Sequence, residues 1–348
     1  MRKSLHLMTY ILLFSTVVAF ANERTENNGN LILKNIPLIP ESIEQDLTQY
    51  QNVRSAPFRG FNKEGDEIFI TTRFGNVSQL HRVRKQGGAR EQITFFGEPI
   101  GSISRKPGGT SIAFTMDAGG TENNQIFLLD TNDGSSVMLT DGKSRNGGPL
   151  WEKNGPRIAF QSTRRNGQSN DVWIMDSKDS TSAEIILESP DGTWWGPSDW
   201  SKDGKKILIQ NYISITNSKA YILDVESKKK EMILGSSEIE SYNAILSFDR
   251  SQNGVFFLTN EYGEFNQLAH KDLKNNKVSV LTKDIPWDID GFAISSDHKR
   301  AAFTANEGGM SSLYLMDTAS MKYRKVKSIP CLLYTSPSPR DQRGSRKP

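Results

Sequence analysis

Six times along this chain a charged, Gly-containing turn is followed by a short apolar strand, and the repeat sets what the chain can fold into. The turns centre on Gly65, Gly109, Gly155, Gly204, Gly254 and His298, at intervals of 44, 46, 49, 50 and 44 residues. The strands are Glu67–Ile70, Ser111–Phe114, Arg157–Phe160, Lys206–Ile209, Gly254–Phe257 and Arg300–Phe303. A second strand follows each, often ending in Asp: Gln79–Val83, Gln125–Asp130, Asp171–Asp176, Lys219–Asp224, Gln267–Asp272 and Ser312–Asp317. A third apolar element, Gln92-Ile93-Thr94, Met138-Leu139-Thr140 or Val280-Leu281-Thr282, closes several units. The apolar pattern has period two and sits between Gly, Asn, Asp and Ser turns. A unit of this length with four short antiparallel strands is a propeller blade, and blades packed radially bury both faces of each small sheet. The expected fold class is all-β, a propeller of about six four-stranded blades in a ring whose closing strand the repeat does not guarantee. A β-sandwich would not repeat at this period.

Six segments outside and within the repeat refine this reading. Met1–Ala21 has the form of a secretory leader: Arg2 and Lys3, an apolar stretch over Leu7–Phe20, and Ala19-Phe20-Ala21 as a cleavage site. The stretch is shorter than the roughly 20 residues a membrane span needs. A mature start at Asn22 and a periplasmic or secreted, soluble protein are therefore expected. Residues 22–55, with Pro37, Pro40 and the polar run Glu41–Gln51, read as an arm or short helix, and 56–330 as the propeller. The last strand of the sixth unit, near Tyr323–Val326, is weakly marked. The segment Cys331–Asp341, CLLYTSPSPRD, resembles a translated transposase adapter of the kind used to prepare sequencing libraries, and 342–348 the primer sequence after it. Residues 331–348 are accordingly expected to be an artefact that interrupts the native sequence after Pro330.

Charge and cysteine content exclude several classes. The formal net charge is +3, but 331–348 contribute an excess of three positive charges and the leader two more, which leaves Asn22–Pro330 at −2. No basic patch then argues for nucleic acid or an anionic membrane as partner. Cys331 is the sole cysteine, so the propeller has no disulfide, zinc–thiolate site or cysteine nucleophile.

Particular stretches carry a family resemblance. YQNVRSAPFRGF (Tyr50–Phe61), TRFGNVSQLHRV (Thr72–Val83), GGAREQITFFGEP (Gly87–Pro99) and the turn within Asp117–Asp130 are its more specific parts. With Ala159–Asp176, Asp199–Ile209 and Gly291–Asp317, the chain resembles the N-terminal β-propeller of exported prolyl oligopeptidase family serine peptidases. The W-S-x-D-G-K elements are shared with propellers of the Tol-associated kind. Two departures stand out: Lys153–Phe160 lacks the usual Asp-Gly turn, and His298 replaces Gly in the last repeat. The resemblance implies a C-terminal α/β-hydrolase domain with a Ser, Asp and His triad, capped by the propeller and restricted to short peptides. No position of this chain matches the catalytic motif, so no catalytic residue is assigned.

The residues themselves agree with that absence. No G-x-S-x-G elbow occurs. His81 and His270 fall in strands and read as hydrogen-bonded structural histidines. Asp130–Gly134 begins like a calcium loop but has Ser135 where Gly is required and no closing Glu, so it reads as a turn. Ser189–Trp194 resembles a single compressed Asp-box turn, and Trp194, Trp195 and Trp200 read as blade-packing aromatics. No metal or cofactor is expected. The one candidate site is a rim formed by loops Asp117–Asn124 and Thr163–Asn170, expected to join first and second strands of neighbouring blades, where Glu122 or Arg164 would hold a substrate terminus. The reading is the substrate-gating propeller of a serine peptidase, itself inactive. The alternative is a stand-alone periplasmic propeller that binds a protein or cell-envelope partner.

Overall fold

The computed structural model describes residues 23–52 and 54–327. The expected leader at 1–21 and the tail at 331–348 lie outside the described residues. The chain divides into two units, 1–53 with Gly119–Thr121, and 54–118 with 122–348. In the first, β1 (Glu23–Glu26) pairs antiparallel with β2 (Leu31–Lys34), and α1 (Glu41–Gln51) follows. Pro40 precedes α1, whose first turn holds Glu41 and Glu44, where carboxylates complement the exposed N–H groups.

The second unit is a propeller of six four-stranded antiparallel blades. Blade 1 holds β3 (Phe58–Phe61), β4 (Ile68–Thr72), β5 (Gln79–Val83) and β6 (Glu91–Gln92). Blade 2 holds β7 (Ile100–Arg105), β8 (Ser111–Met116), β9 (Gln125–Asp130) and β10 (Ser136–Met138). Blade 3 holds β11 (Asn146–Trp151), β12 (Arg157–Ser162), β13 (Asp171–Asp176) and β14 (Asp179–Leu187). Blade 4 holds β15 (Trp194–Trp200), β16 (Lys206–Ser214), β17 (Asn217–Asp224) and β18 (Lys230–Leu234). Blade 5 holds β19 (Asn243–Phe248), β20 (Gly254–Thr259), β21 (Gln267–Asp272) and β22 (Val278–Val280). Blade 6 holds β23 (Ile289–Ile294), β24 (Arg300–Glu307), β25 (Met310–Asp317) and β26 (Tyr323–Lys325). The weakly marked last strand is thus present, paired with β25.

The strand after each repeat turn is the second of its blade, not the first. The true first strand precedes the turn, and in every blade its register against the second strand shifts at a bulge, as between Pro197 and Asp199. A bulge inserts a residue and breaks the alternation that marks a strand in sequence. That is why these six strands escape a period-two reading.

The second strands show how the blades hold together. Side chains alternate faces along a strand, and here each face enters a different core. Ile112 and Phe114 pack with Phe69 and Leu80 of blade 1, while Ala113 between them packs with Ile158 and Phe160 of blade 3. Likewise Ile207 and Ile209 face blade 3 while Leu208 faces blade 5. Val255 and Phe257 face blade 4, and Phe256 and Leu258 face blade 6. Five buried clusters result, one for each junction from blades 1–2 to blades 5–6. Burial at this scale contributes roughly 25 cal/mol per Å² of apolar surface. Trp195 and Trp200 are buried as expected, whereas Trp194 is 37% exposed and packs no core.

Candidate functional site

Four antiparallel strands per blade put the connections on two rims. First-to-second-strand turns lie on one rim. Second-to-third-strand loops lie on the other, where the chain also enters β3 and leaves β26. The loops bearing Glu122 and Arg164 join β8 to β9 and β12 to β13, so they are second-to-third connections, not the first-to-second ones expected. Both lie on the rim where the chain enters and leaves. Glu122 is exposed, with φ +62°, and its N–H donates to Asp117 Oδ2 at 2.9 Å. Arg164 Nε donates to Asp141 Oδ2 at 3.3 Å, and its guanidinium lies 5.3 Å from the Trp173 ring centre. Burial would raise the Asp141 carboxyl, but hydrogen bonds from Ser144 and Lys143 with the Arg164 charge bring it down to about 2. No hydrogen bond or ion pair joins Glu122 to Arg164 among the described residues.

The opposite rim carries a feature to which the sequence reading assigned no site. Turns from blades 2 to 6 converge on a cavity of about 660 Å³, lined by Gly108, Lys153, Asp199, Arg250, His298 and their neighbours. At its wall four blades are tied by one network. Lys153 Nζ donates to Asp199 Oδ2 at 2.8 Å and to His298 Nε2 at 3.2 Å. Phe248 N–H donates to the same Asp199 oxygen at 2.9 Å, and His298 Nδ1 donates to Phe248 O at 3.1 Å. These partners fix His298 as the neutral tautomer with its proton on Nδ1, because Nε2 must accept from an ammonium. Burial, then the Lys153 charge, hold the imidazole below its ordinary value. Burial raises the Asp199 carboxyl against the opposing pull of Lys153 and the Phe248 N–H.

Each member reaches the cavity for a local reason. Asp199 sits in β15 just past the bulge after Pro197, where the register against β16 shifts by a residue, and it lines the cavity. His298 has φ +57° and occupies the turn position held in blade 4 by Gly204 at φ +69°. Most side chains avoid this conformation, and the cluster that His298 joins holds it there. The two departures from the repeat, Lys153-Asn154-Gly155 and His298, were therefore the legible signal, since they meet in space. His81 and His270 are strand residues with hydrogen bonds, to Gln79 O at 3.0 Å and Asp249 Oδ2 at 3.1 Å respectively. No group of three or more metal-binding side chains occurs among the described residues.

The match to known families decides the identity of the fold. Residues 99–322 match the family described as prolyl oligopeptidase, N-terminal beta-propeller domain, well over half of the chain. The chain belongs to this family. The chain is 28% identical over 204 residues to the uncharacterized peptidase YuxL of Bacillus subtilis, covering 58% of this chain and 28% of that protein. It is 31% identical over 113 residues to the uncharacterized protein Atu1656 of Agrobacterium fabrum, covering 32% of this chain and 37% of that one. The chain thus spans well under half the length of these curated relatives. Among solved structures, a prolyl endopeptidase superposes with TM-score 0.64 at 11% identity, over 91% of this chain and 53% of that chain. An oligogalacturonate lyase in complex with manganese gives 0.61 at 9% identity, over 77% and 75%. TolB from Acinetobacter baumannii gives 0.50 at 16%, over 84% and 74%. At these identities the structures share the fold alone.

Proposed function

We propose that this prolyl oligopeptidase propeller is the access-controlling part of an exported serine peptidase that acts on short peptides, with the bond chemistry carried by an α/β-hydrolase domain. One observation carries the reading. The propeller has a concave axial mouth on one rim, of a volume that suits a small ligand, while the chain enters and leaves on the other. A domain attached at the rim of entry would lie across the ring from this mouth. The propeller then contributes to rate and specificity through access and positioning. On the attached side, Glu122 and Arg164 are proposed contacts for a substrate terminus.

The first test is the DNA beyond the codon for Pro330. A following hydrolase-like stretch with G-x-S-x-G supports the peptidase. A stop codon within about fifty residues supports instead a stand-alone binding module, because no room for a catalytic fold remains. The full gene product should cleave a four-residue peptide and spare a thirty-residue one. Equal cleavage of both would remove the gating role. Arg164→Ala should raise KM for short peptides severalfold, and unchanged kinetics would remove that residue from the site.

A further inference from the structure

We propose that the axial mouth is a carboxylate-binding site that takes the free C-terminus of a short peptide. The charge of its lining is the first ground. Lys153, Lys202, Arg250 and Lys299 line it with only Asp199 and Asp297. Both carboxylates are already committed. Asp199 is bound by Lys153 and the Phe248 N–H. Asp297 accepts from Ser295 Oγ at 2.7 Å and the Lys299 N–H at 3.0 Å, and lies 3.6 Å from Lys299 Nζ. His298 is neutral by its hydrogen-bond pattern. Lys202 and Arg250 remain: both are exposed, and neither has an ion-pair partner among the described residues. The mouth therefore holds two uncommitted positive charges inside a concave wall, where low-dielectric surroundings focus the field on an anion.

The placement is the second ground. Lys153, Lys202 and Arg250 occupy the same position of the turn in three consecutive blades, one residue after Glu152, Ser201 and Asp249. Those residues each close their turn by a backbone bond, to Arg157 O, Lys206 O and Gly254 O. The fold thus delivers three cations to one rim by repetition, and Asp199 neutralises the first. A guanidinium can bind a carboxylate through two parallel N–H donors, with Lys202 as an adjacent point charge. A cavity of about 660 Å³ accommodates a few residues of extended peptide behind that carboxylate. The ligand's being a peptide rests on the reading above, but the preference for a carboxylate does not.

The test measures binding of N-terminally fluorescein-labelled tetra-alanine, as free acid and as C-terminal amide, to the full 348-residue chain by anisotropy at low salt. The amide should bind at least about tenfold more weakly. In Lys202→Gln/Arg250→Gln the preference should fall below about twofold. It should persist in Lys229→Gln/Lys274→Gln, which removes the same charge at exposed turns outside the mouth. Unchanged circular-dichroism melts check that both double variants fold. Equal affinity for acid and amide, no saturable binding, or a preference that survives Lys202→Gln/Arg250→Gln would overturn the proposal. Digalacturonate distinguishes the source of the carboxylate: competition with the peptide acid fits the site, whereas digalacturonate binding without peptide binding reassigns it to sugar acids and overturns the peptide assignment. Cleavage by the extended gene product is a separate readout, so failure of peptide gating and failure of the anion site are told apart.

Discussion

Lys153 makes the plainest test of the axial network. Its side chain and that of Asp199 are 20% and 13% exposed, so the pair is mostly desolvated. Lys153→Met leaves Asp199 with the Phe248 N–H as its remaining donor. Breaking a buried pair from one side typically costs several kcal/mol. Partial exposure lowers the expectation to about 2–3 kcal/mol in a urea melt. Lys153→Met/Asp199→Leu should recover part of that loss, because no uncompensated charge stays behind. The pH dependence follows from the directions of the shifts. His298 is depressed below 6.5 in the folded chain, so as pH falls the unfolded chain takes up the proton first. Its contribution to stability is complete above about 6.5 and is lost as pH falls from there through the folded value. Asp199 is raised above 3.8, so its effect runs the other way, with stability lost as pH rises from 3.8 through its folded value. Between pH 7.5 and 5.5 His81, whose imidazole burial also holds below its ordinary value, loses stability in the same direction, so the His298 share is read by substitution. The melting temperature of His298→Asn should therefore fall less across that interval than that of the native chain. Asn is also among the residues that best tolerate positive φ. An equal fall in both would assign the acid sensitivity to another group.

Within the blades, the recurring third strand is closed by a side-chain clasp. In blade 2, Thr140 Oγ1 accepts the Ile126 N–H at 2.9 Å and donates to Gln125 Oε1 at 2.7 Å. Blade 1 repeats this with Thr94, Leu80 and Gln79, and blade 5 with Thr282, Leu268 and Gln267. Blade 3 replaces the Thr hydroxyl by a Ser189 N–H given to Asp171, whereas Ser218 of blade 4 accepts instead from the Asn243 N–H of blade 5. Thr140→Val keeps the shape but strands the buried Ile126 N–H, while Gln125 Oε1 keeps the Gly142 N–H at 2.9 Å. A loss of about 1–2 kcal/mol in chemical denaturation is expected; a neutral result would show that water replaces the hydroxyl. The clasp residues were visible in sequence as Gln at the start of the third strand and Thr after the apolar closing pair. The six repeats and the alternating second strands were equally visible, because turn chemistry and period two are local properties. The first strands were not, since their bulges scramble the period. The Lys153–Asp199–His298 cluster was only half visible. Lys153 and His298 broke the repeat, but their contact spans 145 residues and exists only once the blades are packed around an axis.

Across the propeller, stability is built from junctions between neighbours, as in repeat proteins whose units contact only the next in line. Each of blades 2 to 5 takes part in two buried clusters, and blades 1 and 6 in one each. Among the described residues no buried cluster joins blade 6 to blade 1. The composition of β24 agrees. Its face toward blade 5 carries buried Ala301, Phe303 and Ala305, whereas the other face presents half-buried Ala302 and Thr304 and exposed Asn306. Local stability should therefore be highest in blades 3 and 4 and lowest in blade 6, a gradient that native-state hydrogen exchange reads directly. Phe303 makes the decisive probe. It is 1% exposed and stacks on Tyr314 with ring centres 4.9 Å apart. Phe303→Ala should cost about 3–5 kcal/mol locally. Exchange of the β24 and β25 amides should accelerate by orders of magnitude and that of β20 by less, while β4, β12 and β16 keep their native rates. Acceleration that also reached β4 would mean that blade 6 braces blade 1 directly, and that the ring behaves as a closed wheel instead of a row of junctions with two ends.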